Sequence, residues 1–223
     1  MAEEAASSTR DGERSEAARA LLDTAERLFS ERGFFGVSIR EIVKDAGQTL
    51  AAVNYHFGTK ENLFASVVSR RAFELNSDRL QRLSSLSMVG EDSEQQIRHI
   101  ARAFVLPLCV RATNPDNPGW KYYGRLIADI GVSRYFTANL ISPEYDETAR
   151  LFISAFSSVY PNASDWSLHI SYQFMLGSML YVFAESGRLE TVSRGKFQSS
   201  AIAEITEDWV EFTSAGLIGY LSK

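Results

Sequence analysis

GQTLAAVNYHFGTKENLF, residues Gly47 to Phe64, is the stretch on which the fold turns. Thr49 is placed to cap a helix, since its hydroxyl oxygen can accept from a first-turn amide that has no partner inside the helix. The helix predicted there runs to about Phe57, with Val53 and Phe57, four apart, turned inward. Its other face carries Leu50, Ala51, Asn54 and Tyr55. Gly58 breaks the chain, and Thr59 caps a further helix beginning Lys60-Glu61-Asn62 and continuing through Leu63, Phe64, Val67 and Val68.

Upstream, Ala18, Leu21, Leu22, Ala25, Leu28 and Phe29 fall on one stripe of an amphipathic helix over about Ser15 to Arg32. Gly33 ends it in the left-handed position that follows many helices. Ser38-Ile39-Arg40-Glu41 then reads as a capping box, in which serine and glutamate each satisfy an orphan amide. Ile39, Ile42, Val43 and Ala46 give this second helix its inner face, and Gly47 stops it after barely two turns. Two short helices joined by a glycine turn, with a third across them, form a helix-turn-helix unit. In that geometry the second helix of the pair lies in the DNA major groove. Ala51 and Ala52 keep it slim at the groove floor, Asn54 and Tyr55 offer hydrogen bonds, and His56 and Lys60 stand beside the backbone. Plain three-helix packing has the same spacing, so the pattern alone leaves both readings open.

Composition bounds the rest. A chain of 223 residues with 45% hydrophobic content has ample material for a core. Apolar residues at helical spacing, and no run of alternating Val, Ile and Thr, predict an all-α fold. The net charge of −5 is unevenly spread: residues 14–80 hold ten basic and nine acidic side chains, the most balanced part of the chain. Bulk charge therefore permits a nucleic-acid partner without arguing for one. The first thirteen residues, small and acidic with no apolar core, are expected as a disordered tail and not as a signal peptide. No apolar run approaches the roughly 18 residues of a membrane helix. With one cysteine, Cys109, no internal disulfide or thiolate cluster can form. These points lead us to expect a cytoplasmic protein with no membrane partner, no cofactor and no metal. His56, His99 and His169 show no HExxH spacing, and there is no GxSxG elbow or phosphate-cradling glycine loop, so an enzyme is not expected. A helical adaptor that binds only proteins is the other class, and it predicts no operator footprint.

AERLFSERGF, then SIREIVKDAG, then VNYHFGTKENLF, taken together, resemble the TetR family of bacterial transcriptional regulators, over about the first quarter of the chain. The resemblance implies a three-helix DNA-binding domain, 14–60, followed by a larger helical domain, 61–223, that dimerises and holds a small inducer. It implies DNA contacts from Ser38, Arg40, Gln48, Thr49, Leu50, Ala51 and Ala52, with Asn54 at a base-facing place. Tyr55, His56 and Lys60 match positions that grip phosphates. Gln48, Leu50 and Asn54 depart from the commonest residues there. Leu50 can touch a thymine methyl but cannot hydrogen-bond a base, so the operator sequence is not legible. The partners implied are a double-stranded palindromic operator, a small-molecule inducer and a second copy of the chain; release on ligand binding, as the family implies, makes the protein a repressor, with activation as the alternative.

In the larger domain, helices are expected over Glu94 to about Thr113, broken or kinked at Pro107, then Trp120 to Ile130, Val132 to Leu140, Ser142 to Tyr160, Asp165 to Glu185 and about Gln198 to Tyr220. The resemblance assigns dimerisation to the last two long helices. Trp166, Ile170, Gly177 and Leu180 on the first, and Ile205, Trp209 and Phe212 on the second, are the candidates, although the same stripes suit a monomer core. Candidate ligand contacts are Phe104, Trp120, Tyr123, Ile127 and Phe152, with His169, Tyr172, Gln173 and Met175 from the long helix. Leu108 has the same character. Arg125, among aromatic neighbours in WKYYGRLIADIG, suits a ligand carboxylate or an ordinary salt bridge. The aromatic content points to an acyl or aromatic ligand, in a pocket that is mainly apolar with a few polar anchors.

Overall fold

In a computed structural model, residues 2–86, 90–136, 140 and 142–223 are described, with side chains described from Glu16 onward and not for Ser142. Eleven helices and no strand occur among them. The chain divides into two compact units, Met1–Arg71 and Ala72–Lys223.

The first unit contains α1 (Ala2–Arg32), α2 (Ile39–Asp45), α3 (Leu50–His56) and the opening turns of α4 (Lys60–Ser84). α1 packs on α2 and α3, which pack on each other. Leu21, Ala25, Phe29, Ile42, Val53, Leu63, Phe64, Val67 and Val68 form its core, all at 2% exposure or less. Three rings sit at its centre: Phe64 lies 4.9 Å from both Phe29 and Phe34, edge-on to Phe29. Full burial of each such side chain contributes roughly 1.5–3 kcal/mol. The expected stops Gly33, Gly47 and Gly58 have φ of 68°, 63° and 76°. At Gly47 the consequence is direct: the αL residue lets the Gln48 amide reach back to the Val43 carbonyl at 2.8 Å, turning the chain within three residues into the cap of α3.

Two boundaries differ from expectation. α1 begins at Ala2, so residues 2–13, expected as a tail, are helical. Alanine and glutamate favour that state, and the single Gly12 does not end a helix that continues to Arg32. The division between units falls at 71/72, inside α4, and not at 60/61. Its first three turns bury Leu63, Phe64, Val67 and Val68 in the first unit's core. Arg71 also clamps Glu26 of α1 through Nε to Oε1 at 2.9 Å and Nη2 to Oε2 at 2.7 Å.

The second unit contains the rest of α4 with α5 (Ser93–Ala112), α6 (Gly119–Gly131), α7 (Arg134–Phe136), α8 (Ser142–Val159), α9 (Asp165–Phe183), α10 (Arg188–Val192) and α11 (Ile202–Leu221). α5 is packed by α6, α8 and α11; α9 touches the same three. Tyr123, Phe104, Phe152, Phe156 and Phe183 fill the interior. Pro107 does not split α5, which runs unbroken through it. Ser164 caps α9, its Oγ accepting from the Ser167 amide at 3.0 Å. α6 approaches α9 closely: a Cβ on Gly131 would stand 2.8 Å from Leu180 Cδ1. α10 was not anticipated, because a single turn after Gly187 needs no apolar stripe. Of the segment expected as Val132 to Leu140, residues 137–139 lie outside the described residues.

Candidate DNA interface and ligand cavity

α3 is held by its inner edge. Val53 is 1% exposed, while Phe57 caps the helix half-buried. Thr49 Oγ1 accepts from the Ala52 amide at 3.2 Å and keeps its own proton for an outside acceptor. Leu50, Ala51, Asn54 and Tyr55 are exposed on one face, with Ala52 and His56 half-buried at its margins. Tyr55 is 66% exposed, and its ring meets the His56 imidazole edge-on at 4.9 Å. Gln48 is half-buried in the turn before the helix.

Ser38 belongs to the cap of α2. Its Oγ accepts from the Glu41 amide at 3.3 Å and donates to Glu41 Oε2 at 2.7 Å, while its own amide donates to that carboxylate at 2.8 Å. With its proton engaged, the hydroxyl is a helix cap first. The hydrogen bonds from Ser38, side chain before backbone, and then the one from Arg32 lower the Glu41 carboxyl to about 2. A depressed carboxyl stabilises the fold above its ordinary range, and this contribution fades as pH falls toward 2.

Half of the eight basic side chains described in this unit are in ion pairs: Arg27 with Glu31 and Asp45, Arg32 with Glu41, Arg70 with Asp23 and Glu26, and Arg71 with Glu26. Arg40 is exposed and makes no ion pair among the described residues. Lys44, four residues on and so on the same face of α2, is likewise exposed with no ion pair there. Sequence reasoning missed Lys44; the signal was its i+4 relation to Arg40 on the polar side of a capped helix.

Lys60 differs from expectation. Its Nζ donates to the Phe34 carbonyl at 2.6 Å and lies 4.2 Å from the Phe34 ring centroid. Burial lowers its pKa. The ammonium therefore ties the α1–α2 connection to the start of α4. Lys60→Met should cost about 1–2 kcal/mol in urea unfolding, because a charged hydrogen bond and a cation–aromatic contact both disappear. Unchanged stability with a flatter salt dependence of DNA binding would instead assign the ammonium to a phosphate.

In the second unit, a small cavity of about 50 Å³ is bounded by Leu75, Arg79, Leu108, Ile127, Gly131, Tyr145 and Tyr172, with Leu176, Met179 and Leu180 of α9. Leu108, Ile127 and Tyr172 are the expected ligand residues that line it. Phe104, Trp120, Tyr123, Phe152 and Met175 are core residues, each at most 3% exposed. His169 is exposed on α9 with Nδ1 2.8 Å from the Asp165 carbonyl, and Gln173 faces an outer groove. Helical periodicity puts both on α9, yet on its outer side. Arg125 is salt-bridged: Glu185 takes it at 3.1 Å and Lys121 at 3.3 Å. Arg79 was missed, because one cation in a helix reads as a solvent face. Its place four residues after Leu75 and seven after Ala72 was the available signal.

The α9–α11 side carries an open groove of about 680 Å³ lined by Gln173, Phe174, Gly177, Phe212, Gly216 and Tyr220, among others. Phe212 is 80% exposed and Trp166 70%, and Gly177 is exposed with Ile170 and Ile205 half-buried. Leu180 and Trp209, expected on the same face, are interior. Leu180 packs toward Gly131, and the Trp209 indole donates to Ser178 Oγ at 2.9 Å. A stripe wider than one face had to divide between core and surface.

Residues 21–67 match the family described as bacterial regulatory proteins, tetR family, and residues 102–216 match the tetracyclin repressor-like C-terminal domain. The HTH-type transcriptional repressor AcnR of Corynebacterium glutamicum is 36% identical over 52 residues, 23% of this chain and 28% of AcnR. The HTH-type transcriptional regulator AcrR of Shigella flexneri is 45% identical over 47 residues, 21% and 22% of the two chains. These matches thus span about a quarter of those relatives' length. Among solved structures, AibR in complex with isovaleryl coenzyme A and operator DNA superposes with TM-score 0.62 at 20% identity, covering 88% of this chain and 97% of that one. PfmR from Thermus thermophilus does so with TM-score 0.58 at 15% identity, over 86% and 92%. At such identities the structural likeness speaks for the fold. No helix among the described residues is long and apolar enough to cross a membrane, and no group of three metal-ligating side chains occurs among them.

Proposed function

The chain belongs to the TetR family of bacterial transcriptional regulators, and from that premise we propose that it is a repressor that binds a palindromic operator as a homodimer. It leaves that operator when the second unit takes up a small, mainly apolar ligand of acyl or aromatic type. The outer face of α3 carries the reading. Thr49, Ala51, Asn54 and Tyr55 stand exposed on a helix slim enough for a major groove, with Arg40 and Lys44 exposed on α2 for phosphates. Ala51 gives the close approach, Asn54 suits the paired donor and acceptor of adenine, and Leu50 suits a thymine methyl. Phosphate contacts set register and carry the salt dependence.

Two copies are needed because one seven-residue helix reads too few base pairs. Half-sites one turn apart, roughly 34–36 Å, match a two-fold dimer. The apolar α9–α11 groove with exposed Phe174 and Phe212 supports that face as the contact between copies. The acyl class takes support from the AibR complex, which holds an acyl coenzyme A, and from the apolar lining of the cavity beside α4. A ligand releases the operator only as far as it prefers the form that binds DNA poorly. The DNA partner places the protein in the cytoplasm.

Footprinting on the promoters beside its own gene tests this. The dimer should protect two half-sites about one turn apart, and an acyl or aromatic compound should reduce protection. A dimer that protects none of these promoters would remove the DNA reading. Protection that resists every apolar acid and acyl-CoA, yet yields to a polar metabolite, would remove the ligand class.

A further inference from the structure

The cavity beside α4 contains a charge with no counter-charge. Arg79 is 2% exposed. Its Nε donates to the Phe104 carbonyl at 2.8 Å, its Nη2 reaches Met179 Sδ at 3.4 Å, and its guanidinium lies over the Phe104 ring at 4.2 Å. Among the described residues no carboxylate pairs with it, and its Nη1 has no hydrogen-bond partner. The polar groups closest in character are phenols: Tyr145 and Tyr172 line the same cavity, and the Tyr145 and Tyr123 hydroxyls are hydrogen-bonded to each other. Burial pushes the Tyr145 hydroxyl up to about 12 and raises Tyr172, so neither phenol supplies a negative charge. Burial likewise lowers the Arg79 pKa, the mark of a cation that lacks compensation.

Part of this arrangement serves the fold. Arg79 Nε donates to the Phe104 carbonyl and so ties α4 to α5. That accounts for one edge of the guanidinium. The edge formed by Nη1 and the second proton of Nη2 retains donors in the geometry that a carboxylate accepts with two oxygens. The remaining walls are Leu75, Leu108, Ile127, Leu176, Met179 and Leu180. About 50 Å³ holds roughly four water-sized groups, and the unbranched Met179 side chain can yield to a somewhat larger guest.

We propose that this cavity binds a carboxylate with a short apolar tail, its carboxyl group held by Arg79 and the Tyr145 hydroxyl and its tail among the aliphatic walls. The inference rests on the reading of the second unit as the ligand domain and narrows its ligand to a free acid. An ester, thioester or amide of the same length lacks the charge that Arg79 requires. A phosphate monoester would bring two charges to a single cation in an apolar enclosure, which desolvation disfavours.

Calorimetric titration of the whole 223-residue chain with butanoate and hexanoate, each against its amide, tests the proposal. The acid should bind about 10- to 100-fold more tightly than its amide, raise the melting temperature and weaken operator binding. Arg79→Met should abolish the acid's advantage while the amide binds as before; a purely structural arginine would leave that ratio untouched. If Arg79→Met fails to fold, Arg79→Lys, which keeps the charge without the fork, should retain a reduced preference for the acid. Equal binding of acid and amide to the native chain overturns the proposal. If larger uncharged acyl or aromatic compounds bind and release the operator while these acids do not, the role of Arg79 falls and the ligand domain stands. If no apolar compound of either kind binds, both readings fall.

Discussion

Glu26→Ala should lower the unfolding free energy by about 3–5 kcal/mol, the usual cost of removing one member of a buried ion pair. Glu26 is 1% exposed and receives Arg71 through both oxygens, with Arg70 Nη2 a further 3.2 Å contact. The Arg71 side chain is itself only 9% exposed, so without the carboxylate its charge stays in the interior and loses the two hydrogen bonds at its Nε–Nη2 edge. The attraction of the intact pair matters less than the penalty left when half of it goes. Glu26→Met with Arg71→Met should therefore recover most of the loss, since apolar side chains of similar volume often replace a buried pair at little cost. Asp23→Ala, by contrast, should change stability by less than about 1 kcal/mol, because Asp23 is more than half exposed and its pair with Arg70 is screened. Urea unfolding of these variants decides the matter. A loss for Glu26→Ala no greater than for Asp23→Ala would mean that the α1–α4 tie is weak.

Ala51→Glu should reduce operator affinity by about 100- to 1,000-fold while leaving the fold intact. Ala51 is exposed in the first turn of α3, where a carboxylate is compatible with the helix dipole and glutamate is a good helix former. Stability is thus expected to stay level or rise slightly. Against a duplex the same carboxylate meets phosphates of its own sign at close range, and like-charge juxtaposition costs several kcal/mol, with each 1.4 kcal/mol a factor of ten. Electrophoretic mobility shift at fixed salt, alongside a thermal melt, separates the two effects. Wild-type affinity in Ala51→Glu would show that this face of α3 does not meet the groove.

Much of the DNA-facing unit is local in origin, which is why it was legible. A capping box at Ser38 and Glu41, a threonine cap at Thr49 and a positive φ at Gly47 act within four or five residues of chain. The stripe through Leu21, Ala25, Leu28 and Phe29 identifies the helix against which they pack. Lys60 failed to follow that logic. Its place beside α3 in the chain suggested a phosphate, whereas its amine turns to a carbonyl twenty-six residues earlier. The cavity of the second unit was less legible still, because an interior aromatic residue has the same sequence signature whether it fills a core or faces a cavity. Phe104 and Phe152 close on each other at 5.0 Å, Ile127 and Tyr172 meet the cavity, and His169 and Gln173 turn away from it.

The amino-acid sequence alone determined the helical class, the glycine stops, the caps and the exposed face of α3, since each follows from short-range hydrogen bonding and a 3.6-residue period. Tertiary structure decided which residue on each apolar stripe became wall, core or outer groove, and where each long cationic side chain found its partner. A stripe specifies that a side chain is withdrawn from water, but its neighbours come from distant helices. Arg79 stands on the apolar stripe of α4, but the groups that meet its guanidinium come from α5 and α9.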